Sequence, residues 1–159
     1  MTRIGQGWDR HRLEPGRPCV LGGVEFSDCP VGPLGHSDGD ALSHALCDAL
    51  LGAAALGDIG THFPDTESRW EGADSLELLA RVVEIVTAAG WRISNVDATV
   101  IAEQPRITPR AREMRQALAA AMGVAVESVS VKATRGEGLG PEGRGERITV
   151  QAIVLLEQK

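Results

Sequence analysis

The 159-residue chain has few aromatic side chains, only two lysines, no CxxC pair and no long apolar run. Its three cysteines, Cys19, Cys29 and Cys47, are odd in number and form no motif, so a reduced protein without disulfides is expected. No basic-then-apolar leader opens the sequence, and no stretch approaches membrane-spanning length. A cytoplasmic protein with no membrane partner is expected. Aromatic residues make up 3% of a chain that is 43% hydrophobic, so the core must be built from Leu, Val, Ile and Ala. Lysine occurs only at Lys132 and Lys159, leaving arginine to carry nearly all the positive charge. A formal net charge of -6 excludes a general nucleic-acid binder. A small anionic ligand stays open, because a metal or local arginines reverse the sign inside a cleft. Repeats, low-complexity tracts and linkers are absent too, which leaves one domain.

The densest chemistry runs from Gly35 to Thr66, GHSDGDALSHALCDALLGAAALGDIGTHFPDT, with five aspartates around one apolar helix. Asp38 is placed to cap that helix. Asp40, His44 and Asp48 follow at i, i+4 and i+8 on one face, while Leu42, Ala45, Leu46, Ala49 and Leu50 cover another. Upstream, Thr2 to Trp8 reads as a strand entering Asp9-Arg10-His11, where alternation puts Asp9 and His11 on the same side. Asp9, His11 and His44 together make a three-ligand set of the kind catalytic zinc uses, with a fourth position open. Asp40 or Asp48 would orient His44 from behind. The competing reading is a hydrogen-bonded core histidine.

Elsewhere, Cys19 to Leu21 and Val24 to Phe26 form a hairpin across Gly22-Gly23. Gly57 and Gly60 bracket Asp58 in a turn, and Ser68 to Ala73 reads as loop. Asp74-Ser75-Leu76-Glu77 opens an amphipathic helix that buries Leu78, Leu79, Val82, Ile85 and Val86 and ends at Gly90. A strand through Val96, Ala98, Val100 and Ala102 stops before Pro105. Thr108 then caps a helix with Pro109 at its first position and Gly123 at its end. Two further strands alternate through Val129, Val131 and Ala133 and through Ile148, Val150, Ala152, Val154 and Leu156. The expected fold is α/β, an α+β sandwich: a mixed sheet covered by about three helices. Between the last two strands lies a glycine-rich loop, Thr134 to Gly145. Exposed amides, the Thr134 hydroxyl, a cation at Lys132 or Arg135, and Glu137 as a hard ligand for Mg²⁺ or Mn²⁺ suit a diphosphate. A plain hairpin connection is the rival, since no GK[ST] leads into a helix.

The segments IGQGWDRHR, LGGVEF, the long central stretch, GADS, NVDATVIAEQP, VKAT and GRGE together resemble the 2-C-methyl-D-erythritol 2,4-cyclodiphosphate synthases, in that family's order and over nearly the whole chain. The resemblance implies a homotrimer with active sites between subunits. It also implies a cytidine diphosphate-linked substrate, 4-diphosphocytidyl-2-C-methyl-D-erythritol 2-phosphate, cyclised with release of CMP. By motif, Asp9, His11 and His44 match the Zn²⁺ ligands, one ion per subunit, with Asp9 and His11 also facing substrate. His36 and Ser37 match phosphate contacts, His36 stabilising the transition state. Asp58, Gly60, Phe63 and Asp65 match positions that hold hydroxyls of the methylerythritol and ribose. Ala102, Arg106, Ile107 and Thr108 belong to the cytosine-recognising segment. Ala133, Thr134 and Glu137 meet the diphosphate and its Mg²⁺ or Mn²⁺. Two departures stand out. Arg135 replaces a second threonine, keeping a cation for phosphate but not the hydroxyl. Pro141 replaces a phenylalanine that lines an axial channel, where Arg144 would pair with a bound anion. The rival functions are a metal-dependent phosphatase and a non-catalytic trimeric module with structural zinc.

Overall fold

The computed structural model describes residues 1–159. Its strands are β1 (Thr2–Pro15), β2 (Val20–Leu21), β3 (Val24–Glu25), β4 (Val31–Pro33), β5 (Trp91–Ile101), β6 (Val129–Thr134) and β7 (Arg147–Gln158). There are three long helices, α1 (Ala41–Ala54), α3 (Ser75–Ala88) and α4 (Ala111–Met122), and two one-turn helices, α2 (Ile59–His62) between α1 and α3 and α5 (Gly140–Gly143) between β6 and β7. The main sheet has the order β4-β1-β7-β5-β6. It is mixed, because β5 pairs parallel with β6 while the other neighbours run antiparallel. The helices cover one face, as expected. Ile148, Val150, Ala152, Val154 and Leu156 of β7 all point into that core and are fully buried. The other sheet face is bare and exposes Ile4, Trp8 and Ile153. All three cysteines are free, and no helix is long and apolar enough to cross a membrane.

α1 and β1 meet through their backbones. The inward positions of the first half of β1 are Gly5 and Gly7, and the facing stripe of α1 is Ala45, Ala49 and Ala53. A methyl group built on Gly7 would lie 1.8 Å from the Ala45 carbonyl oxygen, and one on Gly5 would lie 2.0 Å from that of Ala49. Backbone therefore rests on backbone, and α1 lies flat against the strand that carries Asp9 and His11.

Several local expectations need correction. The cap of α1 is Asp40, whose Oδ1 accepts the N–H groups of Leu42 and Ser43. Asp38 instead accepts the Asp40 N–H and bonds the first residue of α3. The strand read as Thr2 to Trp8 continues to Pro15, since β7 and then β4 pair with it throughout. Asp58 does not sit in a simple turn but caps α2. Ser68–Trp70, expected as loop, is a 3₁₀ turn. Thr108 and Pro109 likewise form a 3₁₀ turn through Arg110, and α4 starts after it with no side-chain cap. Ala133 is exposed, because β6 is an edge strand whose end runs past the helical layer.

The glycine-rich crossover is tied down by Glu142 of α5. Its Oε1 accepts from Thr149 Oγ1 at 2.6 Å and Arg147 Nε at 2.7 Å, both on β7. Those bonds hold its carboxyl at about 2, against an ordinary 4.5. A carboxylate held low in the folded chain favours folding above its ordinary value and loses that contribution as pH falls toward the folded one. Thermal unfolding followed from pH 7 to pH 2.5 should show the parent losing stability below about 4.5 more steeply than Glu142→Gln. Parallel curves would remove this anchor.

Candidate active site

Asp9, His11 and His44 meet where the end of the glycine-lined half of β1 passes the first turn of α1. His11 Nε2 lies 2.7 Å from Asp9 Oδ2, and His44 Nδ1 lies 3.2 Å from the same oxygen and 3.3 Å from His11 Nε2. These atoms could ligate a single metal ion, and they fall within 4.8 Å of one another. Zinc bonds of about 2.0–2.2 Å place tetrahedral ligand atoms roughly 3.3 Å apart. Two of the three separations already have that length, and the Asp9–His11 contact would open by about half an ångström. The side chains are 25%, 15% and 13% exposed for Asp9, His11 and His44, and all three line one cleft, so an ion held there would be accessible from it. The donor set fits zinc.

The electrostatics agree. Burial raises the Asp9 carboxyl pKa, but hydrogen bonds and charges from His11 and His44 outweigh it and hold the group well below the carboxylate range. Burial opposes protonation of His11, and Asp9 reverses this, so its pKa is raised. A shared cation would take the place of that proton. Behind the cluster, His11 Nδ1 faces the Leu34 carbonyl at 2.7 Å. A carbonyl only accepts, so Nδ1 carries a proton and Nε2 is the nitrogen left for a ligand bond.

The expected orienting carboxylates are elsewhere. Asp40 is completely buried and accepts from Gly22 N–H, Gly23 N–H and Ser43 Oγ in addition to its cap bonds. Burial pushes its pKa up against those bonds. It fastens α1 to the hairpin turn, where Gly22 and Gly23 take positive φ. Asp48 accepts the Ile59 N–H at 2.8 Å and so anchors α2. His44 Nε2 instead faces the hydroxyls of Ser37 and Ser75, at 3.0 and 2.9 Å.

The cleft of about 380 Å³ beside the cluster gathers His36, Ser37, Gly60, Phe63 and Asp65 of the expected substrate residues. Asp58 lies outside its lining, with its carboxylate bonded at 2.8 Å to the amide and hydroxyl of Thr61. Trp70 is a lining residue that sequence reasoning missed. Its ring meets Phe63 edge-on at 5.0 Å, with Arg69 stacked at 4.6 Å. A lone tryptophan in a polar stretch was the available signal.

A separate cleft collects Ala102, Arg106, Ile107, Thr108, Ala133, Thr134 and Arg135, and shares no residue with the first. Arg135 donates to Glu103 Oε1 at 2.6 Å, and the Gly136 N–H donates to Glu103 Oε2. Its guanidinium is thus turned toward the Ala102–Thr108 segment. Glu137 is exposed at positive φ, and Arg144 pairs with Glu146. Neither borders either cleft within one subunit.

A sequence profile of the YgbB family matches residues 2–157. The chain belongs to the YgbB family. One relative, the 2-C-methyl-D-erythritol 2,4-cyclodiphosphate synthase of Syntrophomonas wolfei subsp. wolfei, is 55% identical over 156 residues, spanning 98% of this chain and 99% of that protein. A solved 2C-methyl-D-erythritol-2,4-cyclodiphosphate synthase in its CDP-bound form superposes with a TM-score of 0.89 at 39% identity, over 98% of this chain and all of that one. The bifunctional IspDF from Campylobacter jejuni gives 0.95 at 37% identity; the match takes in the whole of this chain but 43% of that one. Within this YgbB chain, the Asp9–His11–His44 cluster and the Ala102–Thr108 segment border separate clefts.

Proposed function

We infer that the chain converts 4-diphosphocytidyl-2-C-methyl-D-erythritol 2-phosphate into 2-C-methyl-D-erythritol 2,4-cyclodiphosphate and CMP, a phosphorus–oxygen lyase reaction of non-mevalonate isoprenoid precursor synthesis in the cytoplasm. The reading is carried by the convergence of Asp9, His11 and His44 on one point at the rim of an open cleft, in a chain of this family. A 2-phosphate oxygen attacks the β-phosphorus, and the bond from that phosphorus to the bridging oxygen of CMP breaks on the opposite side. This step needs positioning and charge neutralisation and no protein nucleophile.

When bound, Zn²⁺ at Asp9, His11 and His44, together with Mg²⁺ or Mn²⁺ for which Glu137 is the proposed ligand, supplies positive charge to the phosphate oxygens. His36 and Ser37, at the start of the loop before α1, donate to phosphate. The Gly60 amide and the Asp65 carboxylate hold polyol hydroxyls against Phe63. Ala102, Arg106, Ile107 and Thr108 receive the cytosine, with Ala133, Thr134 and Arg135 bordering the same cleft. Because that cleft is separate from the first, one substrate would reach both only between neighbouring subunits. The bare sheet face, with Ile4 70%, Trp8 56% and Ile153 47% exposed, supports assembly as a homotrimer. Arg144 would then lie near the axis.

Incubating the purified protein with the cytidyl substrate and Mg²⁺, followed by ³¹P NMR, tests the reading. CMP and a cyclic diphosphate in equal amounts are expected. Inorganic phosphate would make the protein a phosphatase instead. No turnover, with unfolding on zinc removal, would make the metal structural.

A further inference from the structure

His44 presents its two ring nitrogens to opposite neighbours. Nδ1 faces Asp9 and His11, whereas Nε2 lies 2.9 Å from Ser75 Oγ and 3.0 Å from Ser37 Oγ. Ser75 is the first residue of α3 and is completely buried. Its hydroxyl also bonds Asp38 Oδ1, while its N–H donates to Asp38 Oδ2 at 3.0 Å.

The chemistry of the groups fixes the direction of this chain. An ionised carboxylate only accepts, so the single Ser75 hydroxyl proton goes to Asp38. The Ser75 oxygen then has only lone pairs left for His44. A histidine that ligates through Nδ1 must carry its proton on Nε2, and that proton needs an acceptor. Ser37 is the weaker candidate. It lines the cleft, and its oxygen also receives the Gly39 N–H at 3.4 Å. Ser75 is buried and held in place.

We propose that Ser75, locked by Asp38, is a positioning residue that accepts the His44 Nε2–H and so aims the Nδ1 lone pair at the metal. This rests on the metal-site reading above. It gives α3 a part in the centre, although none of the three ligands lies on that helix. It also assigns a role to the Asp38 carboxylate, which neither caps α1 nor touches a ligand directly.

Ser75→Ala isolates the hydroxyl, because Asp38 keeps the backbone amides of Asp40 and residue 75. Zinc affinity of the full chain, measured by competition with a chromophoric chelator, is expected to weaken by about 10–100-fold in this variant. Ser75→Thr should restore most of it. Affinity within twofold of the parent for Ser75→Ala would overturn the proposal. In the zinc-loaded parent, ¹H–¹⁵N spectra of the histidine rings should show a His44 Nε2–H protected from solvent exchange. An unprotected or absent signal would also count against it, whether or not the alanine variant folds. If the parent itself retains no zinc, the metal reading fails first, and that result is distinct from a parent and variant that bind equally.

Discussion

Replacing His44 by alanine is expected to empty the metal centre and abolish turnover while the fold stays intact. His44 contributes one of three converging donor atoms, and the remaining pair, Asp9 and His11, already contact each other at 2.7 Å. Two ligands from a single strand leave an ion without the opposing side of its coordination shell. The loss should therefore exceed the roughly 10–100-fold that disturbing surrounding hydrogen bonds costs. Structurally the change is mild. Position 44 is near the start of α1, alanine has the higher helix propensity, and the imidazole's partners are Asp9, His11, Ser37 and Ser75 and not the capping side chains Asp40 and Asp74. Metal analysis and the CMP assay on the same sample decide the matter. Full zinc content with parental activity in His44→Ala would remove the centre from the mechanism.

Legibility in the sequence followed the reach of periodicity. Alternation along β1 put Asp9 and His11 on one side, and the helical spacing of α1 put His44 away from its leucines. Those two local patterns are enough to nominate a three-ligand set. They do not tell which group stands behind a ligand, because that partner arrives from another element. Asp40 shares a helical row with His44, yet its carboxylate is consumed by the first-turn amides and by Gly22 and Gly23. Of the two hydroxyls that face His44 Nε2, the buried one, Ser75, comes from α3, 31 residues away. Arg135 poses the same difficulty. As a cation in a glycine-rich loop it suggested a free phosphate contact, whereas the fold places Glu103 opposite it. Side-chain type and spacing define a face, and only tertiary packing chooses the neighbour.

Gly7→Ala, a substitution that touches no ligand, is expected to damage both stability and metal binding. The new methyl would sit 1.8 Å from the Ala45 carbonyl oxygen and 2.8 Å from the Ala49 nitrogen, so two backbones have to separate. Neither can yield locally. β1 is held to β7 along Thr2–Arg12, Gly7 included, and to β4 from Leu13 to Pro15, and Asp40 pins the start of α1. Overpacking of this kind costs about 3 kcal/mol or more, which corresponds to a fall in melting temperature of roughly 6–12 °C for a chain of this size. Asp9 lies two residues beyond Gly7, and His44 directly precedes Ala45, so the forced separation is applied at the proposed metal centre itself. Zinc affinity should drop with stability in this variant. Gly52→Ala on α1 supplies the control, because a methyl there meets nothing within 4 Å. Helix propensity predicts that it is neutral or stabilising by up to about 1 kcal/mol. If Gly7→Ala melted and bound zinc like the parent, the contact between α1 and β1 could not be what brings His44 to Asp9 and His11.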